Sequence, residues 1–128
     1  MALRVLIVDD SDAFRAQAQL MLAAWGYDVV GEAPEGGAGI RAAQELMPDV
    51  VLLDVQLPDV SGFDVAREIH ADGGPAAIIL ISSREASDYG ARIGRSEAVG
   101  FISKAELSAA TLETVLNGTE PLPTGTER

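Results

Sequence analysis

Val50-Val51-Leu52-Leu53-Asp54-Val55-Gln56-Leu57-Pro58 is an apolar run interrupted by a single carboxylate and closed by a proline. An apolar stretch of this length without polar alternation reads as a strand buried on both faces, the situation of a parallel sheet covered by helices. Working outward from Val50–Leu53, four more short apolar runs qualify as strands: Arg4–Val8, Asp28–Ala33, Ala76–Ile81 and Ala98–Ile102. Helical periodicity separates them. Over Asp12–Trp25, Phe14, Ala18, Met21, Leu22 and Trp25 recur at the spacing of one helix face, and Gly26 ends it. Trp25 reads as core or as a cap over the sheet edge. A second helix spans about Gly37 to Met47 and stops before Pro48. A third follows Ser61, with Asp64 placed as in a capping box, and ends at Gly73-Gly74-Pro75. Asp88–Ile93 reads as a short fourth helix interrupted by glycine, and Ser108–Leu116 as a fifth that Asn117-Gly118 closes. The alternation predicts an α/β fold, a doubly wound five-stranded parallel sheet with helices on both faces. Residues 1–118 make the domain, and the Pro/Thr/Gly-rich residues 119–128 read as a flexible tail or the start of a linker.

The chain has 128 residues, the size of one domain, with 48% hydrophobic and 23% charged residues, a globular composition. It has no cysteine, which excludes a disulfide framework, a thiolate metal site and a cysteine nucleophile. Nine Lys and Arg against 20 Asp and Glu leave a formal charge of −11, a surface that repels phosphate backbones and anionic lipid. Direct contact of this domain with nucleic acid or with a membrane is therefore not expected. No apolar run approaches the ~20 residues of a membrane span. Without an apolar leader or cysteine, the expected compartment is the cytoplasm.

A doubly wound sheet collects its ligand site beyond the carboxyl ends of the strands. There the first strand runs into Asp9-Asp10, the third into Asp54, the fourth into Ser82-Ser83 and the fifth into Ser103-Lys104. Any one of these is ordinarily a turn or cap residue. Together they place three carboxylates, a hydroxyl and an ammonium on one edge. Three neighbouring carboxylates repel one another, and a hard divalent cation with oxygen ligands balances them together with the one lysine. Positioning and neutralisation are most of what phosphoryl transfer asks of a protein.

These residues resemble the response-regulator receiver domains of two-component signalling. The resemblance runs from Leu3 to Asn117 and rests on Leu6-Ile7-Val8-Asp9-Asp10, on Val51 to Pro58 with the following Gly62, on Ile78-Ile79-Leu80-Ile81 before Ser82, and on Gly100-Phe101-Ile102-Ser103-Lys104. It implies the strand order 2-1-3-4-5 and a phosphoacceptor, Asp54, served by a histidine kinase or a histidine phosphotransfer protein. It implies that Mg2+ is held by Asp9, Asp10, Asp54 and the backbone carbonyl of Gln56. By the same resemblance Ser82 is the hydroxyl that turns toward a bound phosphoryl, Lys104 its ammonium partner, and Phe101 the aromatic switch. Gln56 and Arg84, each two residues beyond a site residue, match positions that tune access of water. The output surface is expected on the face of the fourth helix, fifth strand and fifth helix, with Arg84, Tyr89, Arg92 and Arg95, where a homodimer can also form.

One feature departs from the commonest pattern. Ala105 follows Lys104 where many receivers carry proline, and Lys104-Ala105-Glu106-Leu107-Ser108 is more similar to receivers joined to LuxR-type helix-turn-helix outputs, which opens the conformation of this loop. His70, the single histidine, has no acidic or kinase-like context and reads as a surface residue. Two other classes compete. An aspartyl-nucleophile hydrolase of the haloacid dehalogenase type expects an Asp where Gln56 stands. A pseudo-receiver, a binding module not regulated by phosphorylation, usually lacks one of the acidic residues or the lysine, and all are present here.

Overall fold

The computed structural model describes residues 2–74 and 76–118. Its elements are β1 (Arg4–Val8), α1 (Asp12–Ala24), β2 (Asp28–Ala33), α2 (Gly36–Leu46), β3 (Val50–Asp54), α3 (Gly62–Ala71), β4 (Ala77–Ser82), α4 (Ala91–Arg95), β5 (Gly100–Ser103) and α5 (Ala109–Leu116). Single 3-10 turns, Ala86–Asp88 and Lys104–Glu106, precede α4 and α5. The five strands form one sheet in the order β2-β1-β3-β4-β5, with all pairings parallel. The doubly wound fold expected from the sequence is therefore the fold observed. The expected tail, 119–128, lies outside the described residues.

Alternation along the strands divides the core. Leu6, Val8, Val51, Leu53, Ile78 and Leu80 face Ala43 of α2 and Phe63, Val65, Ala66 and Ile69 of α3. Val5, Ile7, Val50, Leu52, Ile79, Ile81 and Ile102 face Ala18 and Leu22 of α1 and Leu112 and Val115 of α5. Each fully buried Leu or Ile contributes about 1.5–3 kcal/mol relative to exposure, so a sheet apolar on both faces fixes β1, β3 and β4 as its centre. Trp25 caps α1 at its C-terminus and packs against the second of these clusters.

Three local expectations are corrected. β3, β4 and β5 each run one residue further at the C-terminal end than the apolar runs, taking in Asp54, Ser82 and Ser103. Ser61 does cap α3, accepting from Phe63 N–H at 3.1 Å, but Asp64 pairs with Arg67 at 2.8 Å instead of closing a capping box. The expected helix Asp88–Ile93 is split, because Gly90 at φ 57 separates the turn Ala86–Asp88 from α4. Such a left-handed angle is open to glycine at little cost. The start of α2 is set from a distance: Asp59, in the loop after β3, accepts from Gly36 and Gly37 N–H at 2.8 and 2.9 Å. These bonds hold the Asp59 carboxyl below the usual carboxylate range. The peptide after Lys104 is trans and opens a 3-10 turn. No helix among the described residues is long and apolar enough to cross a membrane.

Candidate functional site

β1 and β3 are adjacent, and β1 also borders β2, so the ends of β1 and β3 lie where the strand order reverses. Asp9 follows β1 and is fully buried; its N–H donates to Ala33 O at 3.0 Å, and its Oδ1 accepts from Ser11 N–H at 2.9 Å. Ser11 in turn caps α1 by accepting from Phe14 N–H at 3.1 Å. Asp10 is exposed, and Asp54, the last residue of β3, is 5% exposed. Carboxylate oxygens of Asp9, Asp10 and Asp54 all lie within 4.8 Å of one another.

Lys104, just past β5, reaches into this group. Its Nζ is 2.7 Å from Asp9 Oδ2 and 3.8 Å from Asp54 Oδ2, and it lies 4.3 Å from the centroid of the Phe14 ring. Lys104 is the ion-pair partner of the enclosed Asp9 Oδ2, which accepts no other hydrogen bond. Burial pushes the Asp54 carboxyl up to about 6, and the neighbouring Asp9 and Asp10 add to the rise. Lys104 and the N–H of Gln56, which donates to Asp54 Oδ1 at 3.2 Å, oppose it without cancelling it. Three carboxylates facing a single ammonium form a hard, oxygen-rich donor set suited to a divalent cation of the Mg2+ class.

The structure thus brings together Asp9, Asp10, Asp54 and Lys104. Gln56 is exposed and meets the group through its backbone N–H. Ser82 is fully buried at the end of β4, one residue beyond Ile81, the partner of Asp54. Its hydroxyl is engaged elsewhere: Oγ is 2.7 Å from Tyr89 Oη and accepts from Arg84 N–H at 3.0 Å. Phe101 is half-buried with its ring centroid 5.8 Å from that of Tyr89. Arg84, Arg92 and Arg95 are exposed, whereas Tyr89 is half-buried and turned inward. His70 is exposed, 3.4 Å from Glu97.

One contributor escaped the sequence reading. Arg15, on α1, donates to the carbonyl of Asp9 at 2.6 Å and to Glu32 Oε1 at 2.8 Å, and pairs with Asp12. Its guanidinium spans α1, β2 and the acidic loop. An arginine one turn into a helix that follows two aspartates was the available signal, but its partner on β2 is visible only in the fold.

The family model described as the response regulator receiver domain matches residues 5–117. The response regulator GacA of Pseudomonas viridiflava is 34% identical over 103 residues, covering 80% of this chain and 48% of that protein. The transcription regulator BvgA of Bordetella pertussis is 29% identical over 122 residues, 95% of this chain and 56% of its own length. The chain thus spans about half the length of these relatives. Among solved structures, a LuxR-family two-component response regulator from an Aurantimonas species superposes with a TM-score of 0.82 at 27% identity, covering 93% of this chain and 85% of that one. The signal receiver domain of NarL from Mycobacterium tuberculosis gives 0.78 at 28% identity, covering 90% and 97%. With a family model matched across nearly its whole described length, on a fold whose strand ends gather those acidic residues, this chain belongs to the response regulator receiver domains of two-component systems.

Proposed function

We propose that Asp54 accepts a phosphoryl group from a histidine kinase or a histidine phosphotransfer protein, and that the modified domain changes its output surface. The observation that carries this reading is the buried carboxylate triad with a single ammonium, a site short of positive charge. Asp9, Asp10, Asp54 and the backbone carbonyl of Gln56 would hold Mg2+. When bound, that ion supplies charge neutralisation for the carboxylates and the phosphoryl oxygens.

The chemistry left to the chain is small. An Asp54 carboxylate oxygen forms the new bond to phosphorus as the bond from phosphorus to the donor's imidazole nitrogen breaks, and the electron pair leaves with the imidazole. With acetyl phosphate as donor, the pair leaves with acetate. Lys104 moves from Asp9 toward the phosphoryl oxygens, and the Ser82 hydroxyl donates a hydrogen bond to them. Exposed Gln56 and Arg84 flank the path by which water hydrolyses the product. The domain so read is a signalling module whose reactions are on itself, working in the cytoplasm, with output or homodimerisation through the face of α4, β5 and α5.

The test is intact-mass measurement after incubation with acetyl phosphate, with and without Mg2+. One Mg2+-dependent phosphoryl adduct supports the reading. No adduct in any condition overturns it in favour of a binding module not regulated by phosphorylation. The nucleophile is the ionised carboxylate, so the rate of adduct formation at limiting Mg2+ should rise with pH through about 6 and level off above it. A rate flat between pH 5 and 7.5 would show that Asp54 is not held above its ordinary range.

Lys104→Ala separates two roles. It strands the buried Asp9 charge, so the metal-free fold should lose about 2–3 kcal/mol, at the low end for a broken buried pair because the lysine is partly exposed. Mg2+ should bind at least as tightly, since the ammonium no longer occupies Asp9. Urea melts with and without Mg2+ check both; weakened Mg2+ binding would mean that Lys104 supports the metal site.

A further inference from the structure

Ser82 has one hydroxyl proton, and in this structure its oxygen is already committed on two sides. Arg84 N–H donates to it at 3.0 Å, and Tyr89 Oη lies 2.7 Å away. By strand alternation Ser82 lies on the face of Ile78 and Leu80, the side packed by α3, where Tyr89 also sits. Whichever hydroxyl donates, rotation of Ser82 Oγ toward a phosphoryl on Asp54 breaks the bond to Tyr89. An anionic phosphoryl oxygen is the stronger acceptor, because charge-assisted hydrogen bonds are roughly twice as strong as neutral ones.

Tyr89 is delivered to Ser82 by the local backbone. The turn Ala86–Asp88 is closed by reciprocal bonds between Glu85 and Asp88, and Gly90 at φ 57 redirects the chain immediately after Tyr89. The ring is wedged between two others, with centroids 5.6 Å from Phe63, edge-on, and 5.8 Å from Phe101. Phe101 has no hydroxyl, so the hydroxyl that meets Ser82 comes from the β4–α4 segment, not from β5. Arg92 also lies against Phe63, its guanidinium 4.5 Å over the ring. Phe63, Asp64, Arg67, Arg92 and Arg95 line a groove of about 190 Å³ between α3 and α4; Asp64 pairs with Arg67, so Arg92 and Arg95 leave the groove net basic on a chain of net charge −11.

We propose that Tyr89 is a positioning residue for Ser82, holding its hydroxyl away from Asp54 until a phosphoryl group arrives, and that its release carries the event to the α3–α4 groove. The proposal rests on the reading of Asp54 as phosphoacceptor. Loss of the Ser82 bond leaves the Tyr89 hydroxyl half-buried without that partner. The ring then swings toward water and uncovers Phe63 and Phe101, and Arg92 loses its fixed seat. Phosphorylation would thus alter the basic groove as well as the face of α4, β5 and α5.

The test uses the full chain with 3-fluorotyrosine at its two tyrosines, Tyr27 and Tyr89. Tyr89→Phe assigns the two 19F resonances, and mass measurement of the same sample reports the adduct. With acetyl phosphate and Mg2+, the Tyr89 resonance should move while that of Tyr27, on the opposite face of the sheet, stays. Ser82→Ala should displace the Tyr89 resonance before phosphorylation and abolish the later shift. Tyr89→Phe keeps the ring and removes only the competing hydroxyl, so its adduct should form about threefold to tenfold faster, the value of one net hydrogen bond. A stationary Tyr89 resonance in a sample that carries the adduct, or unchanged kinetics in Tyr89→Phe, overturns this proposal alone. Absence of adduct in the wild-type protein overturns the phosphoacceptor reading and this one with it.

Discussion

Asp54→Asn is expected to abolish the phosphoryl adduct and, in the metal-free protein at pH 7.5, to stabilise the fold by about 2–3 kcal/mol. The first effect is the loss of the nucleophile: a carboxamide of the same shape keeps the acceptor for Gln56 N–H but cannot form an acyl phosphate. The second follows from where the carboxylate sits. In the folded state its titration is raised to about 6 by burial and by Asp9. The unfolded chain titrates near the ordinary aspartate value of about 3.9. The folded state therefore binds the extra proton between these values, and stability falls as pH rises from about 4 to about 6. Above that window the whole penalty is present, and asparagine removes it. Below about pH 4 wild type and variant converge. Asp59, whose titration is shifted the opposite way, contributes equally to both proteins and drops out of the difference. Urea midpoints at pH 7.5 and pH 4, with intact-mass measurement, check both arms. Equal midpoints at pH 7.5 would refute the buried-charge argument, and an adduct on Asp54→Asn would refute the assignment of the acceptor. Saturating Mg2+ should narrow the gap, because the ion stabilises the wild-type carboxylate that the variant lacks.

The sheet was legible because its strands are simple. Arg4–Val8 and Asp28–Ala33 coincide with β1 and β2, since apolar periodicity bounded by Asp9, Gly26 and the next helix leaves little choice. At the C-terminal ends of β3, β4 and β5 hydropathy fails as a guide. Asp54, Ser82 and Ser103 keep their ladder partners while carrying polar side chains, because the ladder is made by backbone N–H and C=O groups whatever the side chain's hydropathy. Helix starts fixed from far away were also illegible. Nothing within the sequence of α2 says that Asp59 will supply its cap, and Asp64 could be paired with Ser61 on paper while Arg67 competes for it in space.

At the site, residue types and order were enough to collect Asp9, Asp10, Asp54 and Lys104, which the fold brings within a few ångströms. Their pairing was not. Lys104 lies nearer Asp9 than Asp54, because Asp9 is the fully buried charge and has the greater need of a counter-ion. Tyr89, read as part of an exposed output face, points inward because Gly90 and the preceding turn reverse the chain there. Arg15 depends on Glu32 of β2, seventeen residues away in sequence.

Gly62→Ala is expected to cost about 3 kcal/mol or more, roughly 10 °C in Tm for a domain of this size, and to slow adduct formation at least tenfold. Gly62 opens α3 directly against the end of β3, donating its N–H to Val55 O at 2.8 Å. A Cβ built there would lie 2.2 Å from Asp54 O, 2.8 Å from Val55 Cα and 3.0 Å from Asp54 C. All three obstacles are backbone, so no rotamer change relieves them, and the backbone angle at Gly62 is not in the left-handed region. Either α3 withdraws and uncovers Phe63, Val65, Ala66 and Ile69, or the Asp54–Val55 peptide tilts and carries the carboxylate out of register with Asp9 and Lys104. The first route loses core burial, the second the alignment that the proposed attack by Asp54 on phosphorus requires, and both follow from one methyl group. Gly94→Ala is the matched control: it lies inside α4 with nothing within 4 Å of its Cβ, and alanine is the better helix former by about 0.5–1 kcal/mol. Thermal melts and adduct kinetics on the two variants decide the point. Equal stability in both would mean that α3 does not press on the end of β3. A destabilised Gly62→Ala with wild-type adduct kinetics would place the whole effect in α3 and leave Asp54 undisturbed.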